Sequence, residues 1–351
     1  MAKKSPDLLQ ILASYFDEYL PVSKGLSENT ITSYQYAFSL LFEFLYETKK
    51  LPPEKVTFNY LCGDTITEYL NWLESSRDCS AKTRNLRRAA ISSFAKYAMK
   101  KNFTEGLSFF SVVKNTPKKK VPKNQEIKYF TKEEMEILLK LPDTSTTIGY
   151  RDAALLSVLY ASGTRAQEIC DLTANDIRFG RETSIHVVGK GTKTRNVIIP
   201  ENCANFLKKY MLSVNLPYPG DASTRRRHIF SSQTREHMTI SCVEEIVKKY
   251  VARAKAQYPH LFIKKSYSPH CFRHSIAVHM LESGVPMPVI KAFLGHASIL
   301  TTMEYASVTS ELANKYLTSR NSIIDSVDLN PPTTISPSLH FLNKYRGRTT
   351  E

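Results

Sequence analysis

Apolar residues recur every three or four positions through the first 112 residues, a pattern that predicts helices with one buried face. The clearest stripe comprises Tyr34, Phe38, Leu41, Phe42 and Leu45. Ser27 or Asn29 is a suitable N-cap for the helix that carries it. An earlier stripe is interrupted at Pro21 and Gly25, where we expect the first helix to end. Residues 1–112 are therefore predicted to form a small helical domain with its own core.

A basic stretch punctuated by prolines follows at residues 113–128, and its lack of apolar periodicity indicates an interdomain linker. Helical periodicity resumes in residues 129–325, which we expect to form a second domain. It opens with a capping box at Thr131 and closes with an amphipathic helix over residues 311–325. Residues 326–351 contain several prolines and little apolar pattern, so we expect a C-terminal tail.

One segment of the second domain alternates apolar and polar residues, as strands do. Residues 184–188 alternate, residues 189–194 contain two glycines, and residues 195–200 return as the second strand. This pattern predicts a β-hairpin with Lys190 at or near its tip. The fold class is accordingly predicted to be mainly α with a small antiparallel β-sheet.

The charge balance favours a polyanionic partner. The chain has 351 residues, with 48 Lys and Arg against 33 Asp and Glu and a net charge of +15. Nucleic acid is the first candidate and an anionic membrane surface the second. The N-terminal apolar run is too short for a signal peptide or a membrane span. We therefore expect a cytoplasmic protein with no membrane partner.

Cofactor and metal chemistry find no support in the sequence. The six cysteines are scattered without a C-x-x-C pair or zinc spacing. The glycines form no phosphate-binding loop. We predict reduced thiols, no metal and no cofactor.

Two clusters of cations in the N-terminal half are candidate DNA-binding sites. The first lies in the opening turns of a predicted helix and the second in the linker. Their members are Lys82, Arg84, Arg87, Arg88, Lys118, Lys119 and Lys120. Contacts to phosphate are one interpretation. The alternative is an ordinary solvated face and an ordinary lysine-containing linker.

The candidate chemistry is concentrated in a stretch near the C-terminus. His270 and Arg273 are three residues apart and share a helix face, and Leu294-Gly295-His296 and Tyr305 follow. Arginine binds two phosphate oxygens at once, and a phenol oxygen can attack phosphorus covalently. These residues suit phosphoryl transfer on a nucleic-acid backbone. The alternative is a helical core in which the histidines are hydrogen-bonded and the tyrosine packs.

Over residues 7–318 the chain resembles the tyrosine recombinases, the family of phage and transposon integrases and chromosome-dimer resolvases. The resemblance rests on six residues that occur in the family's order, each within its motif. They are Arg165 in Gly-Thr-Arg-x-x-Glu, Lys190 in Gly-Lys-Gly, His270 and Arg273 in His-x-x-Arg, His296 in Leu-Gly-His, and Tyr305. It implies a helical core-binding domain followed by an α+β catalytic domain.

The resemblance also implies a role for each residue. Tyr305 would attack a phosphodiester, form a 3′-phosphotyrosyl bond and free a 5′ hydroxyl, so that rejoining needs no nucleotide cofactor. Arg165 and Arg273 would hold the non-bridging oxygens in the place that metals occupy elsewhere.

The remaining motif residues would handle protons. His270 would assist proton loss from the tyrosine, His296 would donate a hydrogen bond to phosphate, and Lys190 would protonate the leaving 5′ oxygen. Glu168 is expected to support Arg165, and His274 to be structural.

The sequence is compatible with several alternatives. The long segment after Tyr305 favours a mobile-element integrase or transposase over a Xer-like dimer resolvase. A non-cleaving DNA-binding regulator and a type IB topoisomerase are the other candidates. The resemblance implies a homo-tetramer on two double-stranded DNA sites, with a C-terminal helix exchanged between protomers, and a partner recombinase is possible.

Overall fold

A computed structural model of the chain describes residues 7–121, 127–189, 193–216, 227–232, 235–303 and 305. The chain divides into two compact units, unit 1 (Met1–Gln125) and unit 2 (Glu126–Glu351). Helices dominate both, and unit 2 contains a three-stranded antiparallel sheet. The predicted fold class is confirmed. Lys190, the helix predicted at 311–325 and the tail at 326–351 lie outside the described residues.

The described part of unit 1 is built from α-helices joined by short irregular segments. The helices are α1 (Leu8–Ser14), α2 (Glu28–Lys49), α3 (Thr65–Ser75), α4 (Ala81–Lys101) and α5 (Phe103–Asn115). Ser27, one of the two predicted candidates, is the N-cap of α2. Tyr15–Ser23 forms a π-helix with Pro21 inside it. The helical segment therefore runs past Pro21, where the sequence predicted its end.

The core of unit 1 is aromatic and depends on a close crossing of α4 and α5. The Phe94 ring lies 5.2 Å from that of Phe38 and 6.1 Å from that of Phe109, centroid to centroid. At Gly106 a Cβ would lie 2.6 Å from the backbone nitrogen of Met99. Only a glycine lets the two helix backbones come this close.

The C-terminal end of α5 is closed by a side chain of α4. Arg88 donates from Nε to the Thr116 carbonyl at 2.7 Å and from Nη2 to the Val113 carbonyl at 2.8 Å. These are the carbonyls that a helix end leaves without intrahelical partners. Val113 is buried in the core, so residues 113–115 of the predicted linker belong to α5.

Unit 2 surrounds the buried helix α7 with further helices. They are α6 (Lys132–Lys140), α7 (Thr147–Ser162), α8 (Ala166–Cys170), α9 (Glu201–Ser213), α10 (Ile240–Gln257), α11 (Pro269–Glu282), α12 (Met287–Leu294) and α13 (Ile299–Met303). The predicted capping box at Thr131 opens α6. Among the helices described in both units, none is long and apolar enough to cross a bilayer.

The sheet of unit 2 consists of β1 (Ile177–Arg178), β2 (Thr183–Val188) and β3 (Thr194–Ile199), in that order and antiparallel. The pairing of β2 with β3, in which Ile185 faces Val197, confirms the predicted hairpin. The two-residue strand β1 was not predicted, because it is too short to show alternation. Val197 and Ile199 pack on the core side of β3.

Candidate active site

The first candidate residue, Arg165, is held where α7 turns into α8. Gly163 ends α7 in the left-handed conformation, at φ 57°, and Arg165 is the N-cap of α8. Arg165 Nη1 donates to Glu168 Oε1 at 2.7 Å, and the Arg165 backbone N–H donates to Glu168 Oε2 at 2.9 Å. The Arg165 side chain is 38% exposed. Glu168 therefore fixes the guanidinium and leaves part of it open to solvent, as expected.

A second guanidinium, that of Arg195 on β3, binds the same carboxylate. Arg195 Nη2 donates to Glu168 Oε2 at 2.8 Å and Nη1 to Oε1 at 3.3 Å. Burial alone would raise the pKa of Glu168, but the hydrogen bonds from Arg195 and Arg165 outweigh it and lower that pKa to about 2. Glu168 is thus an anion shared by two arginines.

Arg273 lies on α11 and is almost wholly buried. Its Nη1 donates to the Gly163 carbonyl and its Nη2 to the Leu294 carbonyl, each at 2.6 Å. These bonds tie the C-terminal ends of α7 and α12 together. Burial, and next the charges of Arg165 and Arg195, lower the pKa of Arg273 to about 10, so it is a cation at neutral pH.

His270 and His274 follow one another along α11, with ring centroids 5.0 Å apart. His270 is exposed to solvent when its whole surface is counted, although protein atoms surround part of its ring. Desolvation of its ring, and then the charges of Arg273 and Arg165, lower its pKa below the ordinary value. Burial and the neighbouring His270 lower the pKa of His274 to about 4. These lowered pKa values favour the neutral form of both rings.

His296 follows the αL cap of α12 at Gly295, which has φ 66°. A hydrogen bond of 3.0 Å joins its Nδ1 to the hydroxyl oxygen of Thr302 on α13. Burial, and then the charge of Arg273, lower the pKa of His296 to about 4. The ring is held in one orientation and is neutral at physiological pH.

Tyr305 lies within this group, but its partner is not the one predicted. A hydrogen bond of 2.9 Å joins its hydroxyl to His274 Nδ1, and its ring stacks near His296 at 6.5 Å between centroids. The tyrosine is 2% exposed. The family resemblance implies that His270 assists this hydroxyl, and His274 is expected to be structural. In this conformation His274 holds the hydroxyl, and the buried ring cannot meet a substrate directly.

A cavity of about 520 Å³ opens between the β2–β3 hairpin and the end of α12. Cationic and imidazole side chains line much of it, and these are Arg165, Lys193, Arg195, Lys291 and His296. Its size and charge suit a phosphodiester. Arg165 and His296 are thus brought to one place, and Arg273 connects the two elements that carry them.

Sequence reasoning missed Arg195, Lys193 and Lys291 as lining residues. A signal for Arg195 was present. Residues of a strand that are two apart share a face, so Arg195 is in phase with the buried Val197 and Ile199. A charged residue in phase with a buried face needs a buried partner. Here the partner is Glu168.

The predicted DNA-binding cations of unit 1 differ in how far they are buried. Arg88 closes the end of α5, and Arg84 is also buried, with Nε 3.2 Å from Glu74 Oε2. Both guanidiniums therefore serve the packing of unit 1. Arg87 lies 4.7 Å above the Tyr36 ring and donates to the Ser33 carbonyl. The remaining members are exposed, and they are Lys82, Lys118, Lys119 and Lys120. Of these, Lys119 is paired with Glu74 at 3.0 Å.

Comparison with known protein families accounts for most of the chain. The model of the phage integrase family matches residues 128–311. The model of the phage integrase N-terminal SAM-like domain matches residues 13–102. The two matches fall in unit 2 and unit 1, respectively.

Individual proteins give the same picture. The chain is 31% identical over 306 residues to a Sinorhizobium fredii protein designated integrase/recombinase y4rC, across 87% of this chain and 89% of that one. It is 29% identical over 297 residues to tyrosine recombinase XerC of Anoxybacillus flavithermus, across 84% of this chain and 92% of XerC.

Two solved structures share the fold. A post-cleavage complex of XerH recombinase with palindromic difH substrate gives a TM-score of 0.63 at 19% identity, covering 87% of this chain and 85% of that one. The Tn1549 transposon integrase in complex with a circular intermediate DNA gives 0.61 at 15% identity, covering 86% and 99%. At these identities the likeness concerns the fold.

Proposed function

The chain belongs to the phage integrase family of tyrosine recombinases, enzymes that cut and rejoin DNA strands, and we propose that it does so through a 3′-phosphotyrosyl bond to Tyr305. The observation that carries this proposal is the convergence on one cavity. Arg165 and His296 line it, Arg273 ties their elements together, and Tyr305 lies against His296.

The phosphodiester would sit in the cationic cavity. Arg165, which is partly exposed, donates hydrogen bonds to the non-bridging oxygens, whose charge increases in the transition state. Arg273 adds a fixed positive charge and keeps the cavity wall in place. His296, oriented by Thr302, donates to the same phosphate through its other ring nitrogen.

Attack requires Tyr305 to leave the position it occupies here. The hydrogen bond between its hydroxyl and His274 must break so that the oxygen can reach the phosphorus. The ring must also move out of its buried site. The proton of the phenol passes to a neutral histidine, for which His270 is proposed on the family pattern. His274 also carries an imidazole, and its Nδ1 is already hydrogen-bonded to the Tyr305 hydroxyl. Lys190, beyond the described residues, is proposed to protonate the leaving 5′ oxygen.

The exposed cations of unit 1 are proposed to bind the DNA backbone. Lys82, Lys118 and Lys120 present unburied side chains, and Arg87 is half-buried beside Tyr36. Arg84 and Arg88 are assigned instead to the packing of unit 1. Binding through such contacts weakens with salt, by a log–log slope of about 0.9 for each phosphate contact.

We further propose that the natural substrate is a mobile element, cut and joined by a homo-tetramer on two duplexes. The integrase/recombinase relative from Sinorhizobium fredii supports the mobile element. The XerC and XerD relatives, at 28–29% identity, favour a second candidate, chromosome-dimer resolution. The resolvase acts on one pair of chromosomal sites, whereas the integrase acts on the ends of an element.

Trapping the covalent intermediate tests the reaction and finds its site. The full-length protein is incubated with fragments of its host's genomic DNA, denatured, and the protein-linked fragments are sequenced. We expect adducts at defined sites, with protein on the 3′ side of each break. Mapping to element ends supports the integrase, and mapping to one chromosomal locus supports the resolvase. If no adduct forms with a protein that binds DNA, the non-cleaving regulator is the better account.

A further inference from the structure

Arg195 is a buried charge whose surroundings exceed the needs of hairpin packing. It lies on β3 opposite Val187, in phase with residues of the hydrophobic core, and its side chain is only 10% exposed. A guanidinium at such a position costs free energy unless it is paired. An apolar side chain would pack equally well at this position of β3. Packing alone therefore does not explain the buried charge.

The charges around Glu168 indicate that purpose. Glu168 is an anion, and if Arg165 were its only partner the pair would carry no net charge. A phosphate approaching Arg165 would then meet a guanidinium already neutralised by its own support. With Arg195 on the same carboxylate, the three groups together carry one net positive charge, so Arg165 keeps its attraction for an anion.

Arg195 also touches the far wall of the cavity. At Gly295, next to His296, a Cβ would come within 3.0 Å of Arg195 Cδ and 3.4 Å of its Nη1. The absence of a side chain there lets the guanidinium rest against the end of α12. Arg195 Nε is buried and has no hydrogen-bond partner among the residues that the structure describes. It faces the same backbone, 3.5 Å from the Gly295 Cβ position.

We propose that Arg195 is a positioning residue of the active site. It offsets the charge of Glu168 so that Arg165 can bind the scissile phosphate, and it braces the end of α12 that carries His296. This inference rests on the proposed function, because it assigns Arg195 a part in the same cleavage. Arg195 lines the cavity, but its Nη1 and Nη2 donate to Glu168, so its effect on the phosphate passes through Glu168 and Gly295.

A charge-compensation experiment tests the proposal. The variants are Arg195→Gln and the double variant Glu168→Gln with Arg195→Gln. The single-turnover rate of adduct formation is measured with saturating duplex DNA that contains the mapped cleavage site. We expect R195Q to be slower by roughly 100-fold, because Glu168 would then neutralise Arg165, and the loss of one transition-state donor has about this effect. Its DNA affinity should stay within about threefold of the parent, because the lost stabilisation is that of the transition state and not of the bound DNA.

The double variant separates charge from structure. With a neutral glutamine at 168, Arg165 is no longer neutralised, so we expect the double variant to recover at least about tenfold over R195Q. A purely structural role for Arg195 predicts the reverse, with the double variant as slow as R195Q or slower. A methylphosphonate at the cleaved position removes a phosphate charge, and it should shrink the gap between parent and R195Q. An unchanged gap would contradict the proposal.

A matched control and a second variant at position 195 distinguish a catalytic effect from a loss of folding. Arg178→Gln makes the same chemical change at an exposed position on β1 and should keep the parental rate. If R195Q does not fold, as judged by its circular dichroism and melting curve, Arg195→Lys takes its place. R195K retains the positive charge beside Glu168 but loses the bidentate bonds. A rate within about tenfold of the parent is therefore expected, and a loss as large as 100-fold would overturn the proposal. A parent protein that forms no adduct would refute the proposed function, whereas a full-rate R195Q would refute this inference alone.

Discussion

Replacing Arg273 by lysine should weaken the fold of unit 2 as well as the chemistry. In the structure two different nitrogens of this buried guanidinium reach two carbonyls, those of Gly163 and Leu294, at 2.6 Å each. Lysine keeps the positive charge but has a single nitrogen on a flexible chain. It can satisfy one carbonyl and leaves the other buried without its donor.

The expected magnitude follows from that lost bond. A hydrogen bond from a charged donor contributes about 1.5–3 kcal/mol, so we take about 2 kcal/mol for R273K. For a unit of this size each kcal/mol lowers the melting temperature by about 2–4 °C. The transition of unit 2 should therefore shift down by roughly 4–8 °C.

Scanning calorimetry of the full chain measures the shift, with the exposed Arg178→Lys as the matched control. Adduct formation is measured at a temperature where both variants are folded, so that lost activity is not confused with unfolding. A melting temperature for R273K within about 1 °C of the control would refute the structural role. Arg273 would then act only on the phosphate, and the two carbonyl bonds would contribute little.

Three further predictions concern other parts of the chain. Lys190→Ala should lose cleavage on normal DNA and recover it on a 5′-phosphorothiolate substrate, whose sulfur leaves without protonation; no recovery would remove the general-acid role. The pKa of His296 is lowered to about 4 from about 6.5 in the unfolded chain, so the unfolded chain binds more protons between these values. The stability due to neutral His296 is present above about pH 6.5 and is lost as the pH falls towards 4. Denaturant titrations should show that His296→Asn removes about 2 kcal/mol of the decrease in unfolding free energy between pH 7 and 5, and an equal decrease in both proteins would contradict the assignment. Lys82→Gln should lower the salt slope of DNA binding by about 0.9 without changing the melting temperature, whereas Arg88→Gln should lower the melting temperature of unit 1, and the opposite pattern would return Arg88 to the DNA-binding surface.

Much of the fold could be predicted because it follows from local regularities. Phe38, Leu41 and Leu45 of the predicted stripe are buried on α2, and its other two members pack partly buried against the same core. The alternation around Ile185 is the strand β2. Both patterns repeat within a few residues, so one window of sequence contains them. The π-helix through Pro21 was not predicted, because nothing in the local sequence distinguishes it from a helix that ends there.

The site was predictable only as far as its motifs extend. Arg165 and His296 line one cavity, and Arg273 connects the elements that carry them; their catalytic roles stay predictions. The bond between His274 and Tyr305 joins residues 31 positions apart, and no periodicity connects them. The burial of Arg88 depends on where the end of α5 falls, which charge patterning does not reveal. Both features are tertiary contacts made by polar side chains, and local sequence patterns do not show such contacts.

Identifying the residue joined to DNA tests the central claim most directly. The trapped adduct is digested with nuclease and protease, and the peptide that carries the residual nucleotide is sequenced by mass spectrometry. We predict a nucleotide on the Tyr305 phenol oxygen, linked through its 3′ phosphate, and no adduct from Tyr305→Phe under conditions where that variant still binds DNA. A nucleotide on another residue, or an adduct that persists in Y305F, would contradict the account.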